Sequence, residues 1–231
     1  YNKLCPGPTT FILKKKTKSK ISKKATSGKS TVAVRIPKHK VIRSLLKILK
    51  VPLAAPSANI SSKLSPTCAE DVVDEFGKKI KFILNGGRCK VGIESTIIDL
   101  TSRPTILRQG IVTLTKIQKI LGKKIFIKRK TGTIKSPGQL KLHYSPGIPV
   151  FMNKKYPLKN GAFISMGKKF FNKKNYFNLS KNNDLEEAAN NLYKVMRKIK
   201  NKRFNSISVC KIPNFGIGQA INERLKKASS K

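Results

Sequence analysis

Residues 51–67 read VPLAAPSANISSKLSPT. They carry one charge, Lys63, and no carboxylate, histidine or cysteine. Their chemistry is that of hydroxyls, amides and backbone, with Ser57, Asn59 and Ser65 as the groups able to hold a ligand. The prolines bar both a helix and a central strand. Ser65-Pro66 then reads as a helix start, with Thr67-x-x-Glu70 as a capping box one step later. The free N–H groups and dipole of a helix start suit a phosphate, although a cap with no ligand looks the same. Arg35 and Arg108 stand near strand ends. Each could clamp a carboxylate or phosphate through a bidentate fork, or be a solvated arginine. Glu94-Ser95-Thr96 follows two glycine turns, Asn85-Gly86-Gly87 and Val91-Gly92-Ile93, where backbone can approach a ligand closely.

Other chemistries lack their residues. There are two histidines, His39 and His143, so a histidine metal cluster and a Ser-His nucleophile are not expected. The four cysteines, Cys5, Cys68, Cys89 and Cys210, show no Cys-x-x-Cys spacing and read as reduced thiols in a cytoplasm. No apolar run approaches the ~18 residues of a membrane helix. The net charge is +41, and residues 1–69 contain no Asp or Glu. Such a field favours anionic ligands such as nucleotides, and a polyanion partner is one reading of it. The bases are 42 Lys and only 9 Arg, alongside abundant Asn and Ile, so A+T-rich codons are the other.

The elements that would position these groups alternate between strand and helix. Residues 10–14, 31–36, 80–84, 95–100 and 105–107 read as strands, and 41–49 and 115–121 as helices. Lysine-rich residues 14–29 read as a loop. Residues 128–149, rich in Gly, Pro and Ser, read as a linker. Beyond it, 161–166 and 206–212 read as strands. Asn183 caps a helix whose apolar stripe runs Leu185, Ala188, Ala189, Leu192, Val195, Met196 and Ile199. A glycine turn at Gly216-x-Gly218 opens a last helix through Ile221, Leu225 and Ala228. The expected domains are 1–127, the linker 128–149, and a small α/β domain over 150–231.

Seven runs occur in an order that resembles the threonylcarbamoyl-AMP synthase family. They are Cys5-Pro-Gly-Pro-Thr-Thr, Thr31-Val-Ala-Val-Arg-Ile-Pro, Ala54-Ala-Pro-Ser-Ala-Asn, Ser65-Pro-Thr, Gly92-Ile-Glu-Ser-Thr-Ile, Ile106-Leu-Arg-x-Gly and Ser136-Pro-Gly-x-x-x-x-His-Tyr144. Gly216-Ile-Gly-Gln-Ala-Ile-Asn-Glu-Arg-Leu is similar to the closing motif of that family's accessory domain. The resemblance implies an α/β fold: a partial YrdC-like twisted mixed sheet with helices, then a small Rossmann-like α/β C-terminal domain. It implies a nucleotidyltransferase reaction in which L-threonine, bicarbonate and ATP give threonylcarbamoyl-adenylate and diphosphate, with Mg²⁺ on the phosphates. The product feeds N6-threonylcarbamoylation of tRNA, so tRNA and the downstream transfer proteins join the implied partners, in a cytoplasmic setting. Carried over by position, Thr31, Ser57, Ser65, Arg108 and Tyr144 match ATP contacts, and Arg35, Ala55 and Ser95 match L-threonine contacts. No side chain is singled out as a catalytic acid, base or nucleophile. Tyr144 is expected to close over the nucleotide as a lid whose loss spares the fold, with an inert tether packed between domains as the rival reading. The family's chains begin ahead of the Pro-Gly-Pro-Thr run, so this chain is expected to lack N-terminal strands and a Lys/Arg phosphate motif. A non-catalytic RNA-binding module and an inactive remnant are the alternatives.

Overall fold

The structure is a computed structural model that describes residues 2–127, 143–170 and 174–229. Most of the expected linker, residues 128–142, lies outside the described residues. In chain order the elements are β1 (Thr9–Lys14), α1 (Lys23–Thr26), β2 (Thr31–Val34), α2 (Lys40–Leu49), α3 (Ala69–Phe76), β3 (Thr96–Asp99), β4 (Thr105–Arg108), α4 (Leu114–Leu121) and β5 (Phe126–Ile127). They continue with β6 (Val150–Phe151), β7 (Ala162–Ser165), β8 (Tyr176–Asn178), α5 (Leu185–Asn201), β9 (Ile207–Val209) and α6 (Ile217–Ala228).

Backbone contacts divide the chain into two compact units. One holds Tyr1–Pro56 and Glu94–Ser136, the other Ser57–Ile93 and Pro137–Lys231. The 57–93 segment thus groups with the C-terminal residues, although it is flanked in sequence by the first unit.

The first unit is built on a mixed five-stranded sheet in the order β2-β1-β3-β4-β5. β1 runs antiparallel to β2 and parallel to β3, and β4 runs antiparallel to β3 and parallel to β5. Its core gathers Leu4, Phe11, Ile98, Ile106, Val112, Ile117 and Ile125. α4 turns its apolar face onto that core through Ile117, with Leu114 and Ile120 packed against it, and it is closed at both ends. The Thr113 hydroxyl accepts the Lys116 N–H, and Gly122 takes the left-handed conformation that ends a helix.

The second unit contains a four-stranded parallel sheet in the order β6-β9-β7-β8. Every residue of β7 and β9 is buried, as expected of parallel strands covered on both faces. The predicted stripe of α5 is the buried one: Ala188, Ala189, Leu192, Met196 and Ile199 are at most 1% exposed. The architecture is the α/β one expected.

Local expectations fail at four places. Residues 80–84 form no strand, and Phe82 and Leu84 lie exposed. A strand needs a neighbour's N–H and C=O groups, and no strand pairs with them among the described residues. Ser65-Pro66 does not start a helix, since α3 begins at Ala69. The carboxylate that reaches back is that of Asp71, not Glu70: it accepts the Thr67 N–H at 2.7 Å and the Thr67 hydroxyl at 2.9 Å. α5 is capped by Asp184, which accepts the Glu187 N–H at 2.8 Å, while Asn183 sits one residue outside at φ 59°. Short β5, β6 and β8, and α1 within the lysine-rich loop, carry too few apolar residues to show a period.

Candidate functional site

In the first unit, strand register gathers polar groups around Ser95, just ahead of β3. Thr10 of β1 lies opposite Ile97, and Arg108 of β4 lies opposite Ile97 from the other side. The Thr10 and Ser95 hydroxyls are 2.7 Å apart. Arg108 donates from Nη2 to Ser95 Oγ and from Nε to the Ser95 carbonyl, both at 3.1 Å. Ser95 is 5% exposed, so its hydroxyl is held in one place.

The same strand edge ties in Arg35. Its Nε donates to the Gly7 carbonyl at 3.2 Å, and the Gly7 N–H donates to the Ile36 carbonyl at 2.9 Å. On the other flank the Thr96 N–H donates to the Pro8 carbonyl at 3.1 Å. The Gly7–Thr10 run is therefore clasped between Arg35 and Ser95. Gly110 completes the arrangement, because a Cβ there would stand 2.5 Å from the Glu94 carbonyl oxygen and the Thr96 nitrogen. Only glycine lets the chain after Arg108 pass so close to Ser95.

Of the other predicted positions in this unit, Thr31 opens β2 opposite Lys14. Ala55 is an exposed residue of the irregular stretch before Pro56.

Ser57, Ser65 and Tyr144 belong to the second unit. Ser57 is exposed. Asn59 ties the loop through its amide nitrogen, Nδ2 donating to the Ile60 and Lys63 carbonyls at 2.8 and 3.2 Å. Ser65 lies four residues ahead of α3 rather than at its N-terminus, so the expected helix-end phosphate cradle is not formed there. What fixes the loop is Arg197 of α5. Its Nη2 donates to the Leu64 carbonyl at 2.7 Å, its Nε lies 3.5 Å from the Ser65 carbonyl, and its guanidinium stands 3.6 Å from Asp71 and 3.8 Å from Glu75. Burial pushes the Asp71 carboxyl up, but the two Thr67 hydrogen bonds and the Arg197 charge outweigh it and hold it below its ordinary value.

Tyr144 is 1% exposed. Its ring stacks on Tyr193 of α5 at 5.6 Å, with the Arg224 guanidinium of α6 at 5.8 Å. Its neighbour Ser145 donates its N–H to the Ser62 carbonyl at 2.8 Å, which ties this segment to the 57–67 loop. That burial gives the ring a packing role within this unit, beside the lid role expected of it.

Sequence reasoning missed Thr10, Asp71 and Arg197. Thr10 was in view within the Pro-Gly-Pro-Thr-Thr run. Arg197 had no signal, since it lies beside the apolar stripe like any solvated helix arginine.

Two family models cover the chain. One, described as telomere recombination and named for Sua5, YciO and YrdC, matches residues 1–110. The other, the C-terminal domain of threonylcarbamoyl-AMP synthase, matches 112–230. The chain is 34% identical to the threonylcarbamoyl-AMP synthase of Pyrococcus abyssi over 97% of its own length and 71% of the relative's. With that of Bacillus subtilis it shares 30% over 97% and 70%. With that of Schizosaccharomyces pombe it shares 39% over 65% of this chain and 40% of the yeast protein. Among solved structures, P. abyssi Sua5 complexed with L-threonine superposes with a TM-score of 0.86 at 31% identity, covering 99% of this chain and 72% of that one. An H234A/Y235A form of the same protein gives 0.83 at 32%, covering 99% and 71%. Two family models in tandem, two relatives aligned over 97% of this chain and a shared fold lead to one conclusion: the chain belongs to the threonylcarbamoyl-AMP synthase family.

Proposed function

We propose that this chain makes threonylcarbamoyl-adenylate from L-threonine, bicarbonate and ATP. In that reaction the threonine nitrogen bonds to the bicarbonate carbon with loss of water. A carbamate oxygen then attacks the α-phosphorus of ATP, and diphosphate leaves. The observation that carries the reading is the clasp around Gly7–Thr10, with a pinned Ser95 hydroxyl at one side and the Arg35 guanidinium at the other. Arg35 would pair the amino-acid carboxylate, Ser95 and Thr10 would orient the amino acid through their hydroxyls, and Arg108 would face negative charge. A solved relative complexed with L-threonine supports the substrate.

Catalysis on this reading is positioning and charge stabilisation by fixed donors. Thr31, Ser57, Ser65 and Tyr144 are assigned to ATP by position in the family motifs. Among the described residues no three His, Cys, Asp or Glu side chains converge to hold a metal. Mg²⁺ is assigned to the ATP phosphates, as part of the substrate. The product would serve N6-threonylcarbamoylation of tRNA through separate transfer proteins.

The test is radiolabelled bicarbonate with ATP, with and without L-threonine, on the protein translated from its complete reading frame. Label entering an adenylate only with threonine, with matching diphosphate release, is the expected result. Label absent from any adenylate under all conditions would sink the proposal.

A further inference from the structure

Two cysteines distant in sequence meet at the start of α3, within the second unit. Cys68 stands just ahead of that helix and is partly buried, while Cys89 is exposed. Two ties hold their segments together. The Cys89 N–H donates to the Thr67 carbonyl at 2.7 Å, and Arg88 Nη1 donates to the Thr67 hydroxyl at 3.3 Å. Asp71 fixes Thr67 in turn, through its N–H and its hydroxyl. The Thr67 carbonyl belongs to the peptide group that leads into Cys68. With standard peptide dimensions, a 2.7 Å bond to that carbonyl leaves the Cα atoms of Cys68 and Cys89 at most about 6.5 Å apart. Disulfides span Cα separations of about 4.4–6.8 Å.

Packing accounts for one of these thiols and not for the other. Cys68 can serve as a small, partly buried side chain, but an exposed cysteine gains nothing from burial. Cys89 lies between Arg88 and Lys90 in sequence, the electropositive and accessible setting in which a thiol meets an oxidant. Cys68 is its complement. Burial, and a hydrogen bond to the Glu70 carboxylate, push the Cys68 thiol above its ordinary value. It therefore holds its proton, with Glu70 beside it as the acceptor.

We propose that Cys68 and Cys89 form a redox modification site, which hydrogen peroxide closes into a disulfide between the start of α3 and the 85–90 segment. The Cys89 sulfur takes one oxygen from the peroxide and becomes a sulfenic acid, and water leaves. The Cys68 sulfur then attacks the Cys89 sulfur. Its proton passes to Glu70, and the displaced hydroxide leaves as water with that proton. The two thiols together lose two electrons, and the peroxide gains them. The new bond closes a loop over residues 68–89 and constrains the unfolded chain. It also pins the start of α3 directly after the Ser65-Pro66-Thr67 run.

The test treats the 231-residue chain with hydrogen peroxide, blocks the remaining thiols with N-ethylmaleimide and maps tryptic peptides without reduction. The expected product joins the Leu64–Lys78 peptide to Cys89–Lys90, and dithiothreitol separates them. It should accumulate before Cys5 or Cys210 loses its thiol. In Cys68→Ser the resolving sulfur is gone, so dimedone should trap Cys89 as the sulfenic acid. In Cys89→Ser the same dose should leave Cys68 unmodified. The cross-linked chain should melt above the reduced one, and a lower melt would mean a strained bond that the fold does not accommodate, against the proposal. Cys89 carried on to a sulfinic or sulfonic acid, or linked to a second copy of the chain, with no Cys68–Cys89 peptide, would overturn it. The map of the unsubstituted chain decides this even where a variant fails to fold.

Discussion

Replacing Arg197 with Met keeps the length of an aliphatic stem and removes the guanidinium. Its side chain is 13% exposed. Met strands the Leu64 carbonyl, which belongs to a residue only 3% exposed. It also leaves the Asp71 and Glu75 carboxylates, 17% and 5% exposed, without their shared cation. A charge-assisted hydrogen bond is worth roughly 1.5–3 kcal/mol. Breaking a fully buried ion pair costs about 3–5 kcal/mol. Here the ion-pair distances are long, and Lys63 still stands 3.9 Å from Glu75. The sum therefore belongs near the low end, at about 3 kcal/mol. For a chain of this size that lowers the melting temperature by roughly 6–12 °C.

The pH dependence adds a second readout for the same substitution. Asp71 is held below its ordinary value in the folded state. Its contribution is therefore present above its unfolded value, about 4, and is lost as pH falls through the folded value. Arg197→Met should shrink that acid-side loss, because one cause of the depression is gone. Calorimetric melts between pH 3 and 7 test both effects, with Arg197→Lys expected to fall between the two. A melting temperature within about 2 °C of the parent, with superimposable acid limbs, would refute the idea that Arg197 fixes the 64–67 loop.

Tyr144→Ala removes a buried aromatic ring and should cost about 3–5 kcal/mol by thermal melt; an unchanged melt would return the residue to the role of a simple lid. Gly110→Ala places a Cβ against the Glu94 carbonyl oxygen and Thr96 nitrogen and should displace Ser95, read as a stability loss above about 2 kcal/mol in denaturant titration. Arg35→Ala should weaken L-threonine binding by roughly 1.5–3 kcal/mol while ATP binding changes less, by calorimetry on the protein from its complete reading frame. Equal losses for both ligands would remove the carboxylate assignment.

The sequence by itself determined whatever repeats locally. Alternation in 31–36 and the apolar stripe of 185–199 are set by backbone geometry, so β2 and α5 could be read without neighbours. Hydroxyl-rich, acid-poor loops and two arginines at strand ends offered donors for an anion rather than acid–base groups, with solvated arginines as the other reading, and ordered motifs implied the family. Tertiary structure decided which candidates meet. Ser95, Thr10 and Arg108 converge only because β3 lies between β1 and β4, a pairing between residues far apart in the chain that no local pattern encodes. It decided that Ser65 is not a helix cap, because Asp71 competes for the Thr67 N–H and starts α3 later. It decided against a strand at 80–84, since apolar content cannot supply a partner. It gave Arg197 its place at the 64–67 loop and Tyr144 its place against Tyr193, because a long side chain's partners depend on what folds against its helix.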